Sequence, residues 1–201
     1  MSHYYTPDAQ LPHEPGSVSL TISERTLIFA TDAGVFGRRE VDYGSRLLIR
    51  AMLAASPPVE GRILDLGCGY GPIGLTLAAL RPGVEAVLVD INRRALALAA
   101  ENARTLGVAA SIVDSDGFSA VDGLFDHIAT NPPVRAGKSV YYPWFVQAPR
   151  YLRHGGSFWC VMQRKQGASS VSRALEEAFG GCSRVDLDAG YHVYRAVRKS
   201  E

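Results

Sequence analysis

No apolar run of about 18 residues occurs, so nothing reads as a membrane-spanning helix. Cysteine is scarce: Cys68, Cys160 and Cys182 are odd in number, far apart and form no CxxC pair. Neither a disulfide framework nor a zinc site follows from them. The five histidines, His3, His13, His127, His154 and His192, fall at no metal-binding spacing such as HExxH, and no metal is expected. A charge excess is missing too, since 21 Lys+Arg against 20 Asp+Glu leave a net charge of +1. The chain is no polycation, and any nucleic-acid binding must rest on a local patch. The opening residues, Met1 to Pro7, show neither a basic nor an apolar targeting region, and a cytoplasmic enzyme is the expectation. Repeats and low-complexity tracts are also absent.

The 201 residues are 47% apolar and 20% charged, which suits one globular domain with a small appendage. Residues 1–17, with Pro7, Pro12, Pro15 and Gly16, read as an irregular arm. Val18, Leu20 and Ile22 alternate with polar residues, and Thr26–Thr31 forms a second strand, giving a hairpin. Leu47, Leu48, Ala51 and Met52 recur at helical spacing between Tyr43 and Ala55, and Ser56-Pro57-Pro58 stops that helix. Beyond Pro58 strands and helices alternate. Strands are expected at Arg62–Leu66, Ala86–Val89, Ala110–Val113, Phe125–Thr130 and Gly156–Met162. Helices are expected over 72–80, from an Asn92 cap to a Gly107 stop, and over Ser169–Phe179. Two late strands, Ser183–Leu187 and Tyr191–Val197, are joined by Asp188-Ala189-Gly190 and must pair antiparallel. The expected fold is α/β: a doubly wound, mostly parallel, seven-stranded sheet with helices on both faces and an antiparallel C-terminal hairpin. Residues 1–56 form an N-terminal arm, hairpin and helix packed on a core of residues 57–201. Ligands on such sheets sit beyond the carboxyl ends of the strands.

Two loops at those ends carry chemistry. Asp65-Leu66-Gly67-Cys68-Gly69-Tyr70-Gly71-Pro72-Ile73-Gly74 follows the first core strand. Its glycines permit a sharp turn and close approach of a ligand. Gly69-x-Gly71-x-x-Gly74 fits dinucleotide spacing, Gly67-x-Gly69-x-Gly71 fits another use, and Asp90 stands where either needs a ribose ligand. Spacing alone leaves NAD and S-adenosylmethionine both open. Asp65, directly before the glycines, can face an ammonium group and favours the second. Asp116, just past the third core strand, can meet an adenine amino group. The other loop is Asn131-Pro132-Pro133-Val134. Its prolines offer carbonyls and no N–H, so the Asn131 oxygen and the Pro132 carbonyl can both accept from one planar NH2 group. That pairing suits methylation of a conjugated amine, which is a poor nucleophile until its nitrogen pyramidalises.

Together these residues resemble the class I S-adenosylmethionine-dependent methyltransferases, and the Asn-Pro-Pro element resembles their amino-methylating branch. The closest likeness is to the small-domain family related to the small-subunit ribosomal RNA guanine-N2 methyltransferases. It is carried also by His3-Tyr4-Tyr5, Thr31–Phe36, Val41–Leu48, Arg135–Lys138 and Gln163–Gly167. The resemblance implies S-adenosylmethionine as donor and S-adenosylhomocysteine as product. It places Asp65, Gly67, Gly69 and Gly71 at the methionine end, Asp90 and Ile91 at the ribose, and Asp116 and Gly117 at the adenine. Asn131, Pro132 and Pro133 then form the catalytic element, with Asn131 also against the cofactor, and Val35-Phe36 and Gly44-Ser45 close over the cleft. Many members have an aromatic residue after the two prolines; here it is Val134. Either a stacking partner for the target comes from elsewhere, with Phe36, Tyr141 and Trp144 as the candidates, or the target is not held by stacking.

Arg135 and Lys138 follow the fourth core strand, and Arg164 and Lys165 the fifth. On the expected topology they form a cationic rim around one mouth, suited to RNA phosphates, with Phe36 among the substrate contacts. Tyr141, Tyr142 and Trp144 could stack on unpaired bases. The expected reaction is methyl transfer to an exocyclic amine of RNA, guanine N2 of ribosomal RNA first. The alternatives are a protein glutamine, a small-molecule amine, or a non-catalytic binding module.

Overall fold

The structure, a computed structural model, describes residues 11–199; the His3-Tyr4-Tyr5 element lies outside them. An antiparallel hairpin, β1 (Gly16–Ile22) and β2 (Arg25–Thr31), opens the chain. It begins at Gly16, two residues before the apolar alternation. A register of seven pairs, Gly16 opposite Thr31 at its end, carries it that far. Helix α1 (Tyr43–Leu53) follows, capped by Asp42, whose carboxylate accepts the Ser45 N–H at 3.2 Å. The core then runs β3 (Gly61–Leu66), α2 (Pro72–Leu80), β4 (Val84–Asp90), α3 (Arg93–Leu106), β5 (Ala110–Asp114) and β6 (Phe125–Thr130). It ends with α4 (Lys138–Tyr151), β7 (Leu152–Gln163), α5 (Ala168–Phe179), β8 (Ser183–Asp188) and β9 (Tyr191–Val197). Among the described residues no helix is long and apolar enough to cross a membrane.

The seven-stranded sheet has the order β5-β4-β3-β6-β7-β9-β8. The first five are parallel, and β9 runs antiparallel to both β7 and β8. Alternate strand residues feed two apolar layers. Ile63, Leu88, Ala129 and Val161 pack with α1, α2, α3 and the hairpin; Leu64, Val89, Ile128 and Cys160 pack with α4 and α5. This is the doubly wound arrangement.

Helix α4 was not legible in the sequence. It holds Pro143 and Pro149 within its span, which locally argue against helix. Burial of Tyr141, Trp144, Phe145 and Ala148 against the sheet outweighs them. The same burial withdraws Tyr141 and Trp144 as stacking platforms, since they are 1% and 3% exposed.

The hairpin is fastened to the core through α3. The buried Asn102 side chain accepts the Ala30 N–H at 2.6 Å and donates to the Ala30 carbonyl at 3.1 Å and the Tyr70 carbonyl at 2.9 Å. One residue thus links β2, α3 and the glycine turn.

Candidate functional site

The chain passes from β3 outward through β4 to β5 and then returns to β6 on the other side of β3. The loops after β3 and β6 therefore diverge at a topological switch point, where a crevice must open. Buried Thr130 ties the end of β6 to the end of β3, donating its hydroxyl to the Leu66 carbonyl at 2.7 Å. Above lies a cleft of about 300 Å³, lined by Val35, Phe36, Asp42, Ser45, Gly67–Tyr70, Asp90, Asn131–Arg135, Gln163, Gln166 and Tyr191, among others.

The wall formed after β3 is a turn of left-handed glycines, Gly67 at φ 73°, Gly69 at 57° and Gly71 at 90°. Gly71 caps α2, with Pro72 in its first turn. Gly69 has nothing within 4 Å of where a Cβ would stand, so its backbone faces open space. Asp90 holds the turn in place: its carboxylate accepts the Gly69 N–H at 2.8 Å and the Asn92 N–H at 2.9 Å. Burial raises its pKa, against those backbone hydrogen bonds.

Asp65 lies behind the turn rather than on the cleft wall, 1% exposed. One oxygen accepts the Gly74 N–H at 2.8 Å; the other has no partner among the described residues. Burial pushes its carboxyl up to about 7, the Gly74 hydrogen bond opposing and Asp90 adding to the rise. Cys68 reaches the cleft, but burial first, then Asp90 and Asp65, hold its thiol protonated. It is no nucleophile.

The facing wall is the Asn131-Pro132-Pro133 element. Pro133 sits at φ −74°, ψ 73°, and the Val134 N–H returns to the Pro132 carbonyl at 2.8 Å. That is an inverse γ-turn. It takes one lone pair of the Pro132 oxygen and leaves the second. The Asn131 amide nitrogen donates to the Asp42 carboxylate at 2.8 Å and to the Ser45 hydroxyl at 3.0 Å. Both N–H bonds are consumed at the N-terminus of α1, and the amide oxygen is left as an acceptor. Sequence reasoning missed Asp42 in this role, because the contact joins residues 89 apart in the chain. Gln163, Gln166 and Tyr191 were missed as lining residues for the same reason.

A third side is the loop after β2. Asn92 donates to the Gly34 carbonyl at 3.0 Å and Arg94 to the Ala33 carbonyl at 2.8 Å. Buried Asp32 accepts from His13 at 2.5 Å and from the Glu14 N–H at 2.6 Å. These bonds hold Val35 and Phe36 over the cleft; Phe36, at 48% exposure, presents an aromatic face there.

The cleft therefore gathers Phe36, Gly67, Gly69, Asp90, Asn131, Pro132, Pro133 and Arg135. Gly71, Ile91, Asp116 and Gly117 do not line it. A Cβ on Gly117 would stand 2.5 Å from the buried Trp144 Nε1. Lys138 sits over the Tyr142 ring at 5.4 Å and Arg164 lines an adjoining groove. Lys165 lies on the same exposed turn as Arg164. Open space above Gly69 and the Asp90 carboxylate beside it fit a ligand bearing hydroxyls. Among the described residues no cluster of His, Cys, Asp and Glu is arranged to hold a metal.

The sequence model of the methyltransferase small domain family matches residues 26–195. An uncharacterized protein, YbxB, of Bacillus subtilis is 42% identical over 98% of both chains. The ribosomal RNA small subunit methyltransferase C of Aeromonas hydrophila is 34% identical over 80% of this chain and 46% of its own. Among solved structures, the T. thermophilus 16S rRNA N2 methyltransferase (RsmC), in complex with AdoMet and guanosine, superposes with a TM-score of 0.84 at 30% identity. That match covers 94% of this chain and 52% of the other. The chain spans about half the length of these ribosomal RNA relatives.

Proposed function

The chain belongs to the methyltransferase small domain family, whose methyl donor is S-adenosylmethionine, and from that premise we propose that it methylates an exocyclic amine of an RNA base, guanine N2 of ribosomal RNA. The observation that carries the proposal is the Asn131 amide, fixed through its nitrogen by Asp42 and Ser45 with its oxygen left as an acceptor. The likeness to ribosomal RNA methyltransferases over most of this chain supports the choice of acceptor.

Bound at the glycine turn, the donor supplies an electrophilic methyl group on a sulfonium sulfur. The residues of the chain meet the other half of the problem. A guanine amine has its lone pair delocalised into the ring. The Asn131 oxygen and the second lone pair of the Pro132 carbonyl accept its two N–H bonds and aim the nitrogen. As that nitrogen gains positive charge these hydrogen bonds strengthen, so they act on the transition state more than on the ground state. The Asp42 carboxylate, hydrogen-bonded to the same amide, polarises it and makes its oxygen a stronger acceptor. An exocyclic nitrogen carrying the extra methyl and a positive charge is strongly acidic, so its proton passes to water without a dedicated base. Phe36 offers the aromatic face that Val134 lacks, and Arg135 a cation at the rim.

The test is transfer from methyl-labelled S-adenosylmethionine to small-subunit ribosomal RNA transcribed in vitro, followed by digestion to nucleosides. Label is expected in N2-methylguanosine. Label in N6-methyladenosine, in added ribosomal protein, or in neither polymer overturns the assignment.

A further inference from the structure

Beside the catalytic cleft lies a second groove, of about 500 Å³, between α5 and the β8–β9 hairpin. Ser169, Ser172, Arg173 and Glu176 line it from one face of α5, their spacing placing them on adjoining turns. Arg184, His192 and Tyr194 line the other side, with Arg184 directly opposite Tyr194 in the hairpin register. Arg164, on the turn after β7, lines the groove as well. Its neighbours Gln163 and Gln166 line the catalytic cleft, so a single turn after β7 separates the two cavities.

The charge arrangement is unusual for a protein that carries a net charge of only +1. Three guanidiniums line one concavity, and among the described residues none of them forms an ion pair. Glu176 is the single carboxylate among the described lining residues, and it accepts a hydrogen bond from Ser172 at 3.3 Å. His192 lines the groove with the three arginines, and its imidazole is held below its ordinary pKa by burial first and then by Arg184 and Arg164. All three arginines are exposed, so water screens their mutual repulsion and leaves their N–H donors open to an anion. Exposed Lys165 adjoins Arg164, and exposed Lys138 approaches Gly167, where a Cβ would stand 3.9 Å from its Nζ. The positive strip thus continues from the groove to the mouth of the cleft, which suits a chain of phosphates rather than a single one.

We propose that the Arg164–Arg173–Arg184 groove binds the phosphate backbone of the RNA strand flanking the target nucleotide. The proposal rests on the reading of the cleft as an RNA methyltransferase site and extends it. Guanidiniums contact phosphates through paired N–H donors, and Ser169, Ser172 and Tyr194 supply hydroxyls for the remaining oxygens. The groove fixes strand position without reading sequence, while the cleft receives the base.

The experiment measures anisotropy of a fluorescein-labelled single-stranded RNA oligonucleotide across a salt series, for the wild type, Arg173→Ala/Arg184→Ala, Arg173→Lys/Arg184→Lys and Glu176→Gln. Calorimetric binding of S-adenosylhomocysteine checks that each variant is folded. The double alanine variant is expected to bind RNA at least about tenfold more weakly at moderate salt. Its slope of log affinity against log salt should fall by about 1.4, at roughly 0.7 per lost phosphate contact. The lysine pair should recover most of the slope, and Glu176→Gln should tighten binding. Unchanged affinity and slope in the alanine variant, while the wild type binds and methylates RNA, overturn the groove and leave the function standing. A wild type that neither binds nor methylates RNA overturns both.

Discussion

Asn131 donates its two amide N–H bonds to Asp42 and Ser45, so truncating either partner lets the amide rotate while its oxygen remains. Ser45→Ala is expected to lower kcat by about tenfold and Asp42→Asn by about 10²; Asn131→Ala should cost about 10²–10⁴. Steady-state kinetics beside calorimetric cofactor binding checks the role. A fall in kcat with cofactor affinity kept within about threefold marks positioning, whereas parallel losses mark general damage. Asp65 gives a second prediction at this scale. Its folded carboxyl is raised to about 7 from 3.8, so the native state holds a proton that the unfolded chain releases. Stability is therefore greatest below about pH 4 as far as this group is concerned, and is lost as pH rises through 7. The loss is on the order of 4 kcal/mol at most. Asp65→Asn, neutral throughout, should flatten that part of the profile of melting temperature against pH between 5 and 8. A wild-type profile with no decline across this range would contradict the burial argument.

At the scale of elements, the hairpin is joined to the core by the three hydrogen bonds of Asn102. Asn102→Ala leaves buried backbone groups unpaired, at a cost of about 2–3 kcal/mol. Scanning calorimetry should register a drop of roughly 5–10 °C. Gly71 is more demanding. Its φ is 90°, and an added Cβ would stand 2.7 Å from Leu75 Cδ1 and 2.9 Å from Leu88 Cδ2. Gly71→Ala should therefore destabilise by about 2–4 kcal/mol, from strain and overpacking together. Urea unfolding measures it. Element boundaries were largely legible because local chemistry marks them. Asn92 caps α3 and Gly107 ends it at φ 66°; Pro72 opens α2; Asp188-Ala189-Gly190 turns β8 into β9. Helix α4 was illegible because its prolines mask a helix that only its contact with the sheet stabilises.

At the scale of the molecule, the cleft exists because β3 and β6 are neighbours whose following loops part. A ligand that bridges both loops must stabilise the whole fold. At about 100 times its dissociation constant, S-adenosylhomocysteine should add about 2.7 kcal/mol. In a thermal shift assay that is a rise of roughly 5–10 °C. NAD at the same concentration should give none; a rise with NAD alone would return the glycine loop to the dinucleotide reading that its spacing also allows.

The order of strands and helices apart from α4, the glycine turn, the Asn-Pro-Pro element and the family resemblance were all properties of the sequence, because caps, turns and apolar periodicity act over a few residues. The hold of Asp42 and Ser45 on Asn131, the retreat of Asp65 behind the turn, the burial of Tyr141 and Trp144, and the meeting of Arg164, Arg173 and Arg184 in one groove belong to the tertiary structure. Each depends on packing that brings distant segments together, and no local pattern encodes which partner a side chain meets once the sheet has closed around it.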